Sequence, residues 1–208
     1  MLIFFIVVPI IVGVLLYKKL DYWHKLFFYS SVFSLAIEII FHSYKFSSIW
    51  NNIFNYMSEL SWLPLATIAS IHCSELTKKK LYFGLYVILS LLFVIIEIYI
   101  LGLNENRASL ALSACYLLLI IFLTNSFVSI LRKKILVKDK LSRMLVVIPL
   151  LVTIIYGTSL NIFLFFLFSE STMELFKILY NVFLVMIAVN YLLRGVAFFL
   201  ISKREVFI

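Results

Sequence analysis

The chain has 208 residues, of which 64% are hydrophobic and only 13% are charged, and its formal net charge is +8. Soluble domains are roughly 45–50% apolar, so a water-soluble fold could not cover this much apolar surface with so few charges. The basic residues fall in short clusters between apolar runs, which excludes a continuous nucleic-acid groove and is typical of membrane proteins. We therefore predict an all-α, polytopic membrane bundle.

Apolar runs follow one another along the whole chain, most of them near the roughly 20 residues that a helical span needs. The first run has no basic stretch before it, so it is predicted to be a retained helix, not a cleaved signal. No loop is long enough to fold alone, so residues 1–208 are predicted to form a single membrane-embedded domain. The predicted spans are 1–17, 26–43, 53–74, 81–103, 108–131, 144–168 and 175–201.

The charges of the connecting segments support seven spans and one orientation. Alternate connections carry 14 Lys and Arg residues on one side and 3 on the other, with Arg194 left out because it lies within the last span. This alternation requires the third span, which is the least hydrophobic. The positive-inside rule then puts the N-terminus outside and the C-terminus in the cytoplasm, in a cytoplasmic (inner) membrane.

Five strongly polar side chains interrupt the apolar runs at one predicted depth. Glu38, Glu59 and Glu97, with Asn161 and Asn181, each lie about 8–10 Å from the predicted outer ends of their spans at a rise of 1.5 Å per residue. A carboxylate at the centre of a span costs about 2.5–3.5 kcal/mol on insertion scales, so such residues indicate a functional site. We predict a polar, acidic pocket in the outer third of the membrane.

Further polar and small residues recur at helical spacings, so each set forms one stripe of its helix. Polar residues in a span usually face the bundle or a water-filled cavity, so the stripes are predicted to face inward. They are Ser31, Ser34, Glu38 and His42 in the second span, Asn52, Asn55, Glu59, Ala66, Ser70 and Cys73 in the third, Tyr86, Ser90 and Glu97 in the fourth, and Thr153, Gly157 and Asn161 with the neighbouring Tyr156 in the sixth.

The predicted ligand or proton site draws on both patterns. An alternative interpretation is that these side chains only form hydrogen bonds between helices, worth roughly 0.6 kcal/mol each. That alternative suits the asparagines better than the glutamates, because packing needs no ionisable group. The site comprises Glu38, His42, Glu59, Glu97, Tyr156, Asn161 and Asn181.

Catalytic and metal-binding patterns are weak in this sequence. Glu38 and His42 form an i, i+4 pair that could belong to a metal site, but the pair alone is unspecific. The motifs HExxH, GxSxG and GxGxxG are missing. We therefore predict no catalytic residue, no metal and no cofactor. Arg194, near the cytoplasmic end of the last span, is predicted to extend to the lipid headgroups.

Four short segments of the chain carry a resemblance: 35–38 (Leu-Ala-Ile-Glu), Asn55-Tyr56 with Glu59, 154–158 with Asn161, and Tyr180-Asn181. In these segments the chain resembles small, uncharacterised seven-helix inner-membrane proteins of bacteria. Some proteins of this kind look like the membrane input modules of bacterial sensor systems. The resemblance thus implies a sensor-like module but no particular ligand.

The sequence therefore leaves three functions open. The first is a sensor-like or accessory membrane module, whose basic cytoplasmic segment 132–143 contacts a cytoplasmic or membrane partner protein or anionic lipid. The second is a small proton-coupled transporter that uses the intramembrane glutamates. The third is a structural subunit of a membrane complex. We expect a pocket closed toward the cytoplasm to favour sensing, and a continuous polar path to favour transport.

Overall fold

A computed structural model describes residues 2–43, 63–101, 110–133, 135–167 and 173–202. Within these ranges the protein is all-α, with seven α-helices and one 3₁₀ turn, Tyr17–Lys19. The described helix bounds agree with the predicted spans to within a few residues, except at the start of the sixth. The predicted start of the third span, residues 53–62, lies outside the described residues. The helices are α1 Leu2–Leu15, α2 Tyr22–Ser43, α3 Leu63–Cys73, α4 Lys79–Leu101, α5 Leu110–Arg132, α6 Val137–Leu167 and α7 Met173–Ser202.

Four of the described helices are long and apolar enough to cross a membrane. They are α4, α5, α6 and α7, with apolar stretches of 22 to 29 residues. The described parts of α1 and α3 are apolar but shorter. Many large apolar side chains on these helices are exposed, including Leu91, Ile95 and Tyr99 on α4. An apolar exterior of this kind suits lipid and not water, so the fold is compatible with a membrane-embedded protein.

Helices that follow one another in the chain run in opposite directions. Tyr156 of α6 reaches Leu179 at the start of α7, whereas Ser142 of α6 reaches Ala197 near its end. Helices α4 and α5 are also antiparallel, because the side chain of Glu97 near the end of α4 contacts Leu110 at the start of α5. As a result, the connections predicted to be cytoplasmic meet at one end of the bundle. Arg143 contacts both Asp21 and Cys73 there, and the three residues lie in or beside three of these connections.

Helix α3, the least hydrophobic of the predicted spans, is the most enclosed of the described helices. Ala66, Ser70 and Cys73 are each about 1% exposed, which confirms that the described half of the predicted stripe faces inward. Small side chains let neighbouring helices approach closely. The Ser126 hydroxyl of α5 donates to the Ser70 carbonyl, and the indole of Trp23 in α2 donates to the Ala69 carbonyl at 2.9 Å. Helix α3 thus joins α2 to α5.

The sixth helix begins seven residues earlier than predicted. The basic stretch 132–143 was expected to be a loop, but α6 starts at Val137. The physical reason is that this first part of α6 has its own inward face, with Asp139 and Ser142 buried while Lys138 and Leu141 point outward. A stretch rich in charge can therefore continue a helix beyond the apolar run when its polar side chains find partners.

Candidate functional site

A cavity of about 190 Å³ lies between α2, α6 and α7, and α1 and α5 contribute one residue each. Residues near the middle of these three helices line it, so it lies deeper than the predicted pocket in the outer third. Its lining combines apolar walls with a few polar groups, which is the usual composition of small-molecule sites. The polar and charged lining residues are Ser30, Ser34, Glu38, Tyr116, Thr153, Asn190, Tyr191 and Arg194.

The wall from α6 is shaped by a proline and a glycine. Pro149 lies inside the helix and cannot donate a backbone hydrogen bond, and the hydroxyl of Thr153 donates to its carbonyl at 2.7 Å. Gly157 lies one turn further on, facing the ring of Phe183. A Cβ at position 157 would lie 2.8 Å from Cε2 of that ring. The glycine therefore lets the Phe183 ring pack beside α6 and sets the width of the cavity.

Arg194 of α7 forms the cationic wall of the cavity and is only 4% exposed. Nη1 donates to the Ser31 hydroxyl at 2.9 Å and to the Phe27 carbonyl at 3.5 Å, and Nη2 donates to Asn190 Oδ1 at 3.5 Å. The guanidinium lies over the rings of Phe27 and Tyr191, at 5.3 and 4.9 Å. The prediction that Arg194 extends to the headgroups is therefore wrong, because partners on α2 and α7 hold it inside the bundle.

Glu38 is the predicted site residue that the structure places in the cavity wall. It is half-buried and lies seven residues, or about 10 Å of helix rise, beyond the Ser31 contact of Arg194. Ser34 lies between them, and its hydroxyl donates to the Ser30 carbonyl. One wall of the cavity thus carries an acidic side chain toward one end, and α7 supplies a cationic side chain toward the other.

Glu97 occupies a different place and does not line this cavity. Its Oε1 accepts a hydrogen bond from the amide of Leu110 at 3.0 Å, and its Oε2 accepts one from the amide of Ala111 at 2.8 Å. These are amides of the first turn of α5, which have no partner within their own helix. A carboxylate there also interacts favourably with the helix dipole. Glu97 therefore caps α5 from the neighbouring helix α4.

Of the remaining predicted site residues, the described ones, Tyr156, Asn161 and Asn181, do not line the cavity beside Glu38. Tyr156 donates its hydroxyl to the Leu179 carbonyl at 3.0 Å, and its ring stacks on Phe183, so it supports the cavity wall from behind. Asn161 is half-buried and Asn181 is exposed, and neither lines the cavity. Glu59 and the side chain of His42 lie outside the described residues. The described residues of the predicted polar layer therefore do not share one cavity, although their predicted depths are equal.

A second polar cluster, which sequence reasoning missed, lies at the end of the bundle where the basic connections meet. Asp21 caps α2 by accepting the His24 amide at 2.9 Å, and its Oδ1 lies 2.6 Å from Nδ1 of His24. The other ring nitrogen, Nε2, lies 2.8 Å from the Ser142 hydroxyl. That hydroxyl donates to the Ala197 carbonyl at 2.8 Å, so it accepts from His24. The cluster ties α2 to α6 and α7.

Arg143 completes this cluster. Its Nη2 donates to Oδ2 of Asp21 at 3.1 Å, and its Nη1 donates to the Cys73 sulfur at 3.3 Å. Burial would raise the pKa of Asp21, but the hydrogen bonds and charge of His24 and the charge of Arg143 outweigh burial. The pKa of Asp21 is therefore held well below its ordinary value of 3.8. The cluster is a partly buried group of electrostatic contacts that connects α2, α3 and α6.

The sequence does contain a signal for the buried environment of Arg194 and another for the Asp21 cluster. Asn190, Tyr191 and Arg194 lie on adjacent positions of one α7 face, at spacings of three and four, which is the pattern of a buried polar stripe. Asp21 precedes His24 by three residues at the start of an apolar run, which is typical of a helix N-cap. Neither spacing reveals the partner from another helix, and that partner gives each cluster its chemistry.

Comparisons of the chain with family models, with curated proteins and with solved structures find no match.

Proposed function

We propose that this protein is a sensor-like or accessory membrane module that binds a small molecule in the cavity between α2, α6 and α7. The observation that carries the proposal is a cavity of about 190 Å³ near the middle of the bundle, lined by both Glu38 and Arg194. A charged side chain within a membrane bundle is costly, and placing a buried Arg194 and a half-buried Glu38 along one cavity is hard to explain by packing alone. An engineered apolar cavity of about 150 Å³ takes up benzene, so this one suits a ligand of similar size.

The side of the cavity beyond Arg194 favours binding over passage. Phe27, Trp23 and Phe198 are each at most 1% exposed. The Trp23 ring contacts Phe27 directly, and the His24 ring lies between Trp23 and Phe198. This packed aromatic layer lies between the cavity and the Asp21 cluster. We infer that a ligand reaches the cavity from the other face, which supports a binding module over a proton-coupled transporter or a structural subunit.

The proposed arrangement in the membrane follows the charge pattern. Seven helices span a cytoplasmic membrane, with the N-terminus outside and the Asp21 cluster at the cytoplasmic end. Binding would be communicated to a cytoplasmic or membrane partner protein through the basic stretch 132–143. Lys133 and Lys140 in that stretch already donate to carbonyls of their own chain. Arg132 is exposed, so it is the described residue that supports a contact with the partner. In this proposal the protein performs no catalysis.

Substituting Gly157 tests the proposed function. In Gly157→Ala the new Cβ displaces the Phe183 ring toward the cavity and narrows it. We expect a ligand of six to ten heavy atoms to bind about tenfold more weakly, as is usual for one methyl group too many in a pocket. Gly84→Ala is the matched control, because a Cβ at Gly84 meets nothing within 4 Å.

The measurement is the unfolding temperature of the purified full chain in detergent, against a panel of anionic, neutral and cationic small molecules. Some member of the panel should stabilise the wild type and the Gly84 variant, and stabilise the Gly157 variant less. If no compound stabilises the wild type, or if every active compound stabilises all three proteins equally, the cavity is not a ligand site.

A further inference from the structure

The charge of Arg194 is not balanced by any carboxylate in the part of the chain that the structure describes. Arginine has five N–H donors, and three of those on Arg194 have partners, all of them neutral oxygens. Nε has no hydrogen-bond partner among the described residues. Leaving a buried donor unsatisfied is unfavourable, and more so for a charged group. The rings of Phe27 and Tyr191 offset only part of this cost.

Two N–H donors of Arg194 have no partner among the described residues. They belong to Nε and Nη2, which are neighbouring nitrogens on one side of the planar guanidinium. Arginine binds a carboxylate with two parallel N–H···O bonds from such a pair, and these charge-assisted bonds are about twice as strong as neutral ones. Arg194 also lines the cavity, so an anion in the cavity would lie beside the only charge on the α7 wall described here.

We propose that the cavity is a carboxylate site, in which Arg194 holds the carboxylate of a small molecule and the apolar walls hold its body. This inference rests on the proposed function and assigns the chemical class of its ligand. Ile6, Leu150, Ile154 and Ile187 supply apolar walls, and the side-chain amide of Asn190 lies beside Arg194 as a further polar group. A ligand with six to ten heavy atoms and one carboxylate matches this lining.

Glu38 would favour a cationic ligand, so the class of ligand depends on which of the two charged side chains gains more from a partner. Glu38 is half-buried, whereas Arg194 is almost completely buried, and a charge removed from water gains more from a partner. Glu38 is also about 10 Å of helix rise away from the Ser31 contact of Arg194. A ligand carboxylate beside Arg194 would therefore lie far enough from Glu38 to limit the repulsion between the two carboxylates.

Three probes of the same planar shape test the inference. Benzoate, benzamide and benzamidinium differ mainly in charge, and each has nine heavy atoms. Their affinities for the purified full chain are measured by isothermal titration in detergent at pH 7. We expect benzoate to bind at least about tenfold more tightly than benzamide, which is the effect of one or two charged hydrogen bonds. Benzamidinium is expected to bind most weakly.

The failures of this inference and of the proposed function are distinguishable. Equal affinities for the three probes would overturn the carboxylate assignment but leave small-molecule binding intact. A preference for benzamidinium would overturn it in favour of Glu38. If none of the three binds, the carboxylate assignment fails, whatever the wider panel shows for the proposed function.

Substitution of Arg194 supplies a second, independent measurement. Arg194→Gln is expected to abolish the preference for benzoate over benzamide, and Arg194→Lys to retain part of it, since lysine keeps the charge but not the paired donors. Lys177→Gln removes an exposed charge of the same helix and should change nothing. If Arg194→Gln does not fold, the comparison of the three probes on the wild type still decides the question. An unchanged benzoate preference in a folded Arg194→Gln protein would overturn the inference.

A carboxylate ligand could be a soluble small molecule or a fatty acid from the membrane. Dodecanoate has the same head group on a chain too long for about 190 Å³. Displacement of benzoate by low concentrations of dodecanoate would assign the site to a lipid carboxylate whose chain extends between the helices. A failure of dodecanoate to displace benzoate would assign the site to a soluble acid. Both results support a carboxylate site and separate its two sources.

Discussion

Replacing Asp21 with asparagine is expected to lower the free energy of unfolding by about 2–3 kcal/mol. Removing one partner of a fully buried ion pair costs about 3–5 kcal/mol. Asp21 is partly exposed, so we expect a smaller loss of stability than for a fully buried pair. Its side chain accepts from the His24 ring, the His24 amide and Arg143. Asparagine can still cap α2, so the change removes the charge and spares the cap.

The effect of this substitution depends on pH in a direction set by the lowered pKa of Asp21. A carboxyl group whose pKa is lower in the folded state stabilises the fold above its unfolded pKa, and that contribution is lost as the pH falls. We therefore expect the difference between wild type and Asp21→Asn to be constant near neutral pH. It should narrow as the pH falls below about 3.8.

Denaturation in detergent at pH 7 and at pH 3 measures this difference. Asp21→Ala removes the cap as well as the charge, so it should be less stable than Asp21→Asn by about 1 kcal/mol at both pH values. A difference between wild type and Asp21→Asn that stays the same down to pH 3, or that is negligible at pH 7, would contradict the electrostatic role of Asp21.

Replacing Glu97 with alanine is expected to cost about 2–3 kcal/mol. The substitution leaves the amides of Leu110 and Ala111 without their acceptors, and Ala111 is buried. An N-cap is worth up to about 2 kcal/mol, and a buried amide without a partner costs about 1–3 kcal/mol. Glu97→Gln keeps one acceptor oxygen and should lose about half as much.

The control for Glu97 is Glu174→Ala, which removes an exposed glutamate from the first turn of α7 and should change stability by less than about 0.5 kcal/mol. Amide hydrogen exchange at the start of α5 should also accelerate in Glu97→Ala alone. If Glu97→Ala is as stable as Glu174→Ala, Glu97 is not a cap. If Glu97→Gln instead loses the binding of the small-molecule panel and keeps its stability, Glu97 belongs to the ligand site.

The helices were predictable from the sequence because the apolar runs and the stripes at helical spacing are both local patterns. The inward faces of α3 and α4 are confirmed, since Ser70, Cys73, Ser90 and Glu97 are all buried. The start of α6 was not predictable in this way. Its first two turns are stabilised by contacts of Ser142 and Arg143 with other helices, and no local pattern contains those contacts.

The candidate site was only partly predictable, for a related reason. Counting residues gives the depth of a side chain but not the helix that it faces. Glu38 and Glu97 have the same predicted depth, yet one lines the cavity and the other caps α5. Arg194 has a local explanation, extension to the headgroups, but its actual environment comes from Ser31 and Phe27, more than 160 residues earlier in the chain.

The most direct test of the central claim, an accessible ligand cavity halfway along the bundle, is the labelling of a cysteine placed in its wall. Cys73 and Cys115 are both buried and are first replaced with serine to remove background. Thr153→Cys then puts a thiol in the cavity wall, and Val146→Cys puts one two turns away in the packed core of the same helix. The measurement is the rate of labelling by an anionic methanethiosulfonate in intact membranes.

We predict that the thiol at position 153 is labelled rapidly, that benzoate slows this labelling, and that the thiol at position 146 is not labelled. Equal resistance of the two thiols to the reagent would contradict the account, because it would mean that the space beside Arg194 is not open to small anions.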